Sequence, residues 1–350
     1  MTSVSRAGRA EGRLQVLAVT NMYPTDSDPA YGIFVASQME SVARAGVDVS
    51  IEFIDGRRSK ARYLTAIARI RHLAGGGKFD VVHAHFGLTG FVCAFQSTPL
   101  VVSFCGDDLL GASNGRGGAT ITSLPMVWMS RFAAHRANAI ICKSDPLVRA
   151  LPATVDRSLV TVIGNGVDTE IFCPGDKAAA RRELGMDQNE SLILFPHDVR
   201  QPVKRYDLAR AAIDQLQARG KAARLWVVNG VPHRRLPVYY RAADCMLLTS
   251  DHEGSPNTVK EGLCCDLPLV SVDVGDVKKL VSLAPNSLVV GREPSAIADG
   301  LEALLERGRR EDGEALRAEF GLPSVAARVV RVYEAALARR RIGSRLSASA

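Results

Sequence analysis

Short runs of apolar and β-branched residues recur along this chain, with helix-length segments between them. The first six, LQVLAVT, VDVSIEFI, DVVHAHF, LVVSF, AIICKS and VTVIGN, lie between Leu14 and Asn165. This alternation predicts a parallel sheet with crossover helices. At Asn165-Gly166, a turn dipeptide followed by Cys173-Pro174-Gly175, the pattern pauses and then restarts with SLILFPHD, RLWVVNG, CMLLTS, PLVSVDV and SLVVG. Two doubly wound α/β domains in tandem are the simplest reading. A loose tail would cover 1–13, a first domain 14–165, a second 166–322, and a closing helix and tail 323–350. In the closing helix Val325, Val329, Val332, Tyr333 and Ala336 fall at helical spacing, which predicts one buried stripe packed back on the first domain. Nothing repeats at the period of a solenoid.

The length of 350 residues fits two cores better than one. Hydrophobic residues at 47% and charged ones at 23% place the chain among ordinary globular proteins. The net charge of +7 is uneven: Met1 to Asn165 holds 17 Lys and Arg against 12 Asp and Glu, and the remainder 27 against 25. Seven of the basic residues fall between Arg57 and Lys78, where there is no acid. That segment is either a solvated helix face or a seat for an anionic partner. Tyr63, Leu64, Ile67 and Ile70 add an apolar stripe to it, so 57–78 is a candidate for contact with an anionic membrane surface. Nucleic acid is not an expected partner.

Met1 to Arg13 is basic and polar with no apolar core, unlike a secretion signal. The run Phe86 to Gly106 is broken by Gln-Ser-Thr-Pro and is not a bilayer span. Seven cysteines without a CxxC pair fit reduced core thiols. A cytoplasmic protein, peripheral on the inner face of the membrane if 57–78 docks there, is the expectation.

In open α/β sheets ligands collect beyond the carboxyl ends of the strands. There the first domain has NMYPTDSDPAYGIFVASQ, in which Gly32 stands at a helix start and would let a ligand reach bare backbone N–H groups. A plain turn glycine is the alternative. GxGxxG and GxxxxGK[ST] are absent, which argues against a dehydrogenase or a P-loop enzyme. In the second domain Arg200 and Lys204 precede a helix and together suit a diphosphate. The stretch HEGSPNTVKEG then places Ser255 as a cap before Pro256, so that the N–H groups of Asn257, Thr258 and Val259 form another anion seat. Glu253 and Glu261 flank it. Two carboxylates beside a phosphate must bind something else on the same ligand, and the hydroxyls of a nucleotide-sugar answer that need.

Glu253-x7-Glu261, with Gly32, Arg200 and Lys204, resembles the retaining glycosyltransferases of the GT-B fold, in particular family 4. GNGVDTEIFCP (Gly164 to Pro174) and EGLCCDLPLVSVDVGDV (Glu261 to Val277) support the resemblance, which runs from about Leu14 to Arg339. It implies two Rossmann-like domains facing across a cleft, the nucleotide-sugar donor on the second and a hydroxyl acceptor on the first. It also implies an enzyme without cofactor or metal. Carried over by position, Arg200 and Lys204 grip the diphosphate, Glu261 the ribose and Glu253 the transferred sugar. Gly254, Ser255, Asn257 and Thr258 line the donor seat, and Gly32 offers its N–H from across the cleft. The resemblance favours UDP over GDP, and a lipid-linked or polysaccharide intermediate as acceptor. VVSFCGDDLLG matches a segment that reads His-Gly-x-Asp in many relatives. Cys105 replaces the histidine there, while Gly106 and Asp108 match, and Asp108 is expected to orient acceptor or sugar. Asn165 and His85 are expected nearby. His83 and His85 share one face of a strand and lack a third metal ligand, so they line the cleft or pack in the core. The alternatives to transfer are a nucleotide-sugar 2-epimerase of the same fold and a non-catalytic nucleotide-sugar-binding relative.

Overall fold

The computed structural model describes residues 12–29, 31–111 and 120–348, with side chains described to residue 340. Most of the expected loose tail, residues 1–11, lies outside the described residues.

Every apolar run above forms a strand. The first sheet contains β1 (Gln15–Thr20), β2 (Asp48–Phe53), β3 (Val81–His85), β4 (Leu100–Phe104), β5 (Ala139–Cys142) and β6 (Val160–Val162), in the order β2-β1-β3-β4-β5-β6. The second contains β7 (Ser191–Phe195), β8 (Ala223–Val227), β9 (Cys245–Leu248), β10 (Leu269–Val272) and β11 (Leu288–Val290), in the order β11-β10-β9-β7-β8. All the strand pairs are parallel, so helices cover both faces and the central strands are buried from end to end.

Each order reverses direction once, at β1/β3 in the first sheet and at β7/β9 in the second. At such a reversal successive crossovers leave on opposite faces and a crevice opens past the strand ends. The loops after β1, β3 and β4 and those after β7 and β9 therefore form the two walls of one cleft.

The helix Leu322–Ala348 closes the chain on the first sheet. Val325, Val329, Val332, Tyr333 and Ala336 are buried with Val16, Val81, Val101 and Ile141. The crossing is made by backbone: Val167 N–H donates to Phe320 C=O (2.7 Å) and Leu322 N–H to Val167 C=O (2.9 Å). Beneath it the His83 ring is held between Tyr333 Oη (2.7 Å from Nδ1) and Ser103 Oγ (2.8 Å from Nε2). Burial holds His83 neutral, its pKa pushed down to about 3. Replacing Tyr333 with Phe leaves one ring nitrogen of His83 buried without a partner. Denaturant unfolding of Tyr333→Phe should show a loss of about 1–3 kcal/mol. An unchanged unfolding midpoint would show that this bond does not hold the closing helix.

Candidate functional site

The cleft between the two sets of loops encloses about 950 Å³, at the upper end of the range for small-molecule sites. From the first sheet Met22, Phe34, Phe86, Cys105, Gly106, Asp107 and Thr120 line it; from the second, Arg200 to Lys204 and His252 to Asn257. Asn165, in the segment joining the sheets, lies at its base.

Lys204 and Glu253 meet because the loops after β7 and β9 are tied together. Thr249 Oγ1 donates to Lys204 C=O (2.9 Å), and Asp251 N–H to Val203 C=O (2.9 Å). This brings Lys204 Nζ to 2.6 Å from Glu253 Oε1, both side chains mostly buried. Arg200 also faces the cleft but is exposed, and its guanidinium forms a two-pronged contact with Asp198.

The helix Asn257–Cys264 starts at the cleft without the expected Ser255 cap. Pro256 occupies the N-cap position, which puts Ser255 one residue too far upstream for its hydroxyl to reach the first-turn N–H groups. Among the described residues no side chain caps these N–H groups, and Asn257 lines the cleft. Asn257 Oδ1 accepts from Asn165 Nδ2 (3.2 Å). One turn on, the fully buried Lys260 donates to Asn165 C=O (3.0 Å), and burial brings its pKa down to about 8. Gly254 fits because a Cβ there would lie 2.9 Å from Cys105 C=O on the opposite wall. Thr258 does not line the cavity.

Glu261 does not line it either. It is buried within the second sheet's layer, taking a hydrogen bond from His233 Nε2 (2.8 Å) and one from Tyr240 Oη (3.2 Å). Burial opposes a charged His233, but the Glu261 hydrogen bond and charge outweigh it and its pKa lies above the ordinary value.

Three first-sheet expectations change. Asp108 does not reach the cleft: it is fully buried and accepts from the N–H groups of Gly87 (2.9 Å), Cys105 (3.1 Å) and Gly106 (2.8 Å). A buried carboxylate engaged by three backbone donors shapes the loops after β3 and β4 and is turned away from the cavity where acceptor and sugar would lie. His85 is buried under Phe86 against His83, with ring centroids 4.1 Å apart, and does not line the cavity. Gly32 starts the helix Ile33–Arg44 at φ 71°, where a Cβ would lie 2.3 Å from the Met22 backbone. Turn geometry and close packing account for that glycine, and its neighbours Met22 and Phe34 are the ones facing the cavity. Phe86 has φ 85°, rare for a bulky residue and costing about 1–3 kcal/mol; bonds to Ser103 C=O and from Gly90 N–H hold it.

The sequence reading passed over His252 and Asp107. His252 Nε2 lies 3.6 Å from Asp107 Oδ1, an ion pair across the cleft. Both were visible as neighbours of chosen residues, His252 before Glu253 and Asp107 before Asp108. Lys260 was legible as a lysine on the apolar face of a helix. Cys105 lines the cavity as a thiol, burial raising its pKa to about 12. Among the described residues no group of His, Cys, Asp and Glu has a metal-holding arrangement.

Two family models match the chain: Glycosyltransferase Family 4 over residues 5–171 and Glycosyl transferases group 1 over residues 207–319. A D-inositol 3-phosphate glycosyltransferase of Xylanimonas cellulosilytica is 31% identical over 310 residues, 75% of this chain and 74% of the relative. The enzyme of that name from Frankia alni is 28% identical, covering 87% and 88%. Among solved structures, a sucrose-phosphate synthase from Thermosynechococcus elongatus superposes with a TM-score of 0.77 at 16% identity, covering 93% of this chain and all of that one. Anabaena Alr3699/HepE in complex with UDP gives 0.65 at 15%, covering 92% and 100%. These last two show the shared GT-B architecture.

The Asp107 carboxylate, first among its causes, raises the His252 pKa above the ordinary 6.5. The charged pair is therefore complete below the unfolded imidazole value and is lost as pH rises through the raised folded value. In an NMR titration His252 should titrate above 6.5 in the wild type and move down in Asp107→Asn. Equal titration in both proteins would dissolve the pair.

Proposed function

The chain belongs to glycosyltransferase family 4 and is a glycosyltransferase, and from that premise we propose that it moves a sugar from a nucleotide-sugar, UDP-linked in preference to GDP-linked, to a hydroxyl acceptor with retention of configuration. The observation that carries this reading is the 2.6 Å contact between Lys204 Nζ and Glu253 Oε1 beside an uncapped helix start. A cation and a carboxylate held at one point are what the junction of a sugar and a diphosphate requires. On donor binding Lys204 turns to a phosphate oxygen and Glu253 to sugar hydroxyls, so both charges exchange one partner for another.

As the glycosidic C–O bond breaks, its electron pair passes to the departing phosphate oxygen. Lys204, Arg200 and the first-turn N–H groups near Asn257 stabilise the charge that develops there. In this reading they meet that charge without a metal or cofactor. The family resemblance gives Glu261 the ribose hydroxyls; it lies behind the cavity wall on His233 and Tyr240, so in this reading the donor takes the place of one of those hydrogen bonds. Retention follows from same-face attack: the acceptor hydroxyl adds where the phosphate leaves, and its proton passes to the phosphate oxygen. Asp108 is engaged by backbone N–H groups and Cys105 stays protonated at neutral pH, so neither serves as a nucleophile.

The UDP preference draws on family frequency and on a fold relative solved with UDP. On the acceptor side Met22, Phe34 and Phe86 offer apolar surface and Asp107 a negative charge, which suits a neutral, partly apolar acceptor. The relatives are named for D-inositol 3-phosphate, and turnover of that compound would redirect the acceptor reading.

The test pairs a thermal-shift screen of UDP- and GDP-sugars with assay of sugar release and transfer. A bound donor should raise Tm in the wild type. Lys204→Ala and Glu253→Gln should each lower turnover by about 100-fold or more. Full donor binding and turnover in Lys204→Ala would overturn the diphosphate assignment. Inversion at the anomeric carbon, read by NMR, would overturn retention.

A further inference from the structure

The outer side of the first sheet carries an aromatic face that the cleft does not use. The helices Gly87–Cys93 and Leu124–Arg136 pack together, and Phe91, Phe95, Trp128 and Phe132 cluster along their seam. Trp128 stacks on Phe132 (centroids 6.1 Å apart) and Phe95 on Phe132 (5.9 Å), with Phe91 edge-on to Phe95 (5.3 Å). The cluster is open to solvent: Trp128 is 62% exposed, and Leu124 and Ile121, at 57% and 83%, continue it toward the cleft end of the helix. Single exposed apolar residues are ordinary, but four of the seven large ones exposed among the described residues belong to this face.

Its charge is of one sign. Beside Phe95 and Phe132 a groove of about 590 Å³ is rimmed by Arg71 and Arg136, neither with a carboxylate partner among the described residues. Ala61–Gly75, Gly87–Cys93 and Ile121–Arg136, the segments that build the face, contain no Asp or Glu. The helix Ala61–Gly75 does not itself present the apolar stripe expected of it. Tyr63, Ile67 and Ile70 turn into the first core, and Leu64 alone of the four stands out, at 73% exposure. Arg57, Arg62 and Arg69 from the basic stretch are paired with Asp28, Asp55 and Glu52. That helix contributes Arg71 to the rim, and the apolar surface lies on its neighbours.

We propose that the Phe95–Trp128 face docks on a bilayer containing anionic lipid. Trp128, Phe95 and Leu124 enter the interfacial layer, where an indole is favoured, while Arg71 and Arg136 meet headgroup phosphates. Three segments that together carry cations and no acid would repel their own copies across a twofold axis, which argues against a homodimer contact. Phe86 and Thr120 border these helices in sequence and line the cleft, so docking sets the cleft mouth beside the surface. That the acceptor hydroxyl is then carried by a lipid rests on the transfer reading above; the docking itself does not.

Co-sedimentation of the full chain with phosphatidylcholine vesicles, with and without phosphatidylglycerol, tests the proposal. The wild type should bind only the anionic vesicles, and less as salt rises. Trp128→Glu and Phe95→Glu should each weaken binding on the order of tenfold, while Leu64→Glu leaves it unchanged. Circular dichroism and Tm confirm that the variants fold, and Arg71→Glu with Arg136→Glu repeats the test without touching the aromatics. No binding, or binding indifferent to both the aromatic and the arginine substitutions, overturns it. So does a wild-type dimer in sedimentation velocity that Trp128→Glu dissociates. Vesicle binding that depends on Trp128, in a protein with no donor response, would sustain the docking and overturn the transfer reading.

Discussion

The cleft depends on the chain returning to the sheet where it began. A parallel sheet must have both faces covered, and part of one face of the first sheet is covered by a helix that arrives only after the second domain is complete. The apolar stripe from Val325 to Ala336 is what draws it there. Its consequence is a second domain tied to the first at both ends, through the segment at Val167 and the crossing at Leu322. With both ends fixed, the topological reversals of the two sheets stay opposite each other.

Within that frame the cleft keeps its charges mutually occupied. Lys204 holds Glu253, Arg200 holds Asp198 and His252 holds Asp107. Each is a partnership that a polar, anionic ligand could take over. The exchange avoids leaving a buried charge bare, since a partly buried ion stripped of its partner is far costlier than one that changes partners. Lys260 has a different part. Its ammonium, buried and held on the Asn165 carbonyl, keeps the joining segment against the start of the Asn257 helix, so the linker is an element of the site's floor.

The strand pattern, the restart after Asn165 and the stripe of the closing helix were all legible because they rest on local rules: strand length, apolar content and helical spacing. Glu253, Lys204, Arg200 and Asn257 were legible as candidates because they follow strands of an α/β pattern. Three readings went astray for one reason. The Asp107-Asp108 pair does not say which carboxylate turns into the loop and which into the cleft. The exposed and buried histidines look alike in sequence. The stripe Tyr63, Ile67, Ile70 has the same spacing whether it meets lipid or a core.

The sequence by itself determined the two doubly wound layers and the chemical kinds of residue past their strands, since periodicity and residue type are properties of neighbours along the chain. Only the tertiary structure decided that Lys204 meets Glu253, that Asp107 rather than Asp108 faces the cleft, and that the uncovered aromatics belong to Phe95 and Trp128. Those outcomes depend on which loops and helices pack beside one another across long stretches of sequence, and local pattern carries no record of that.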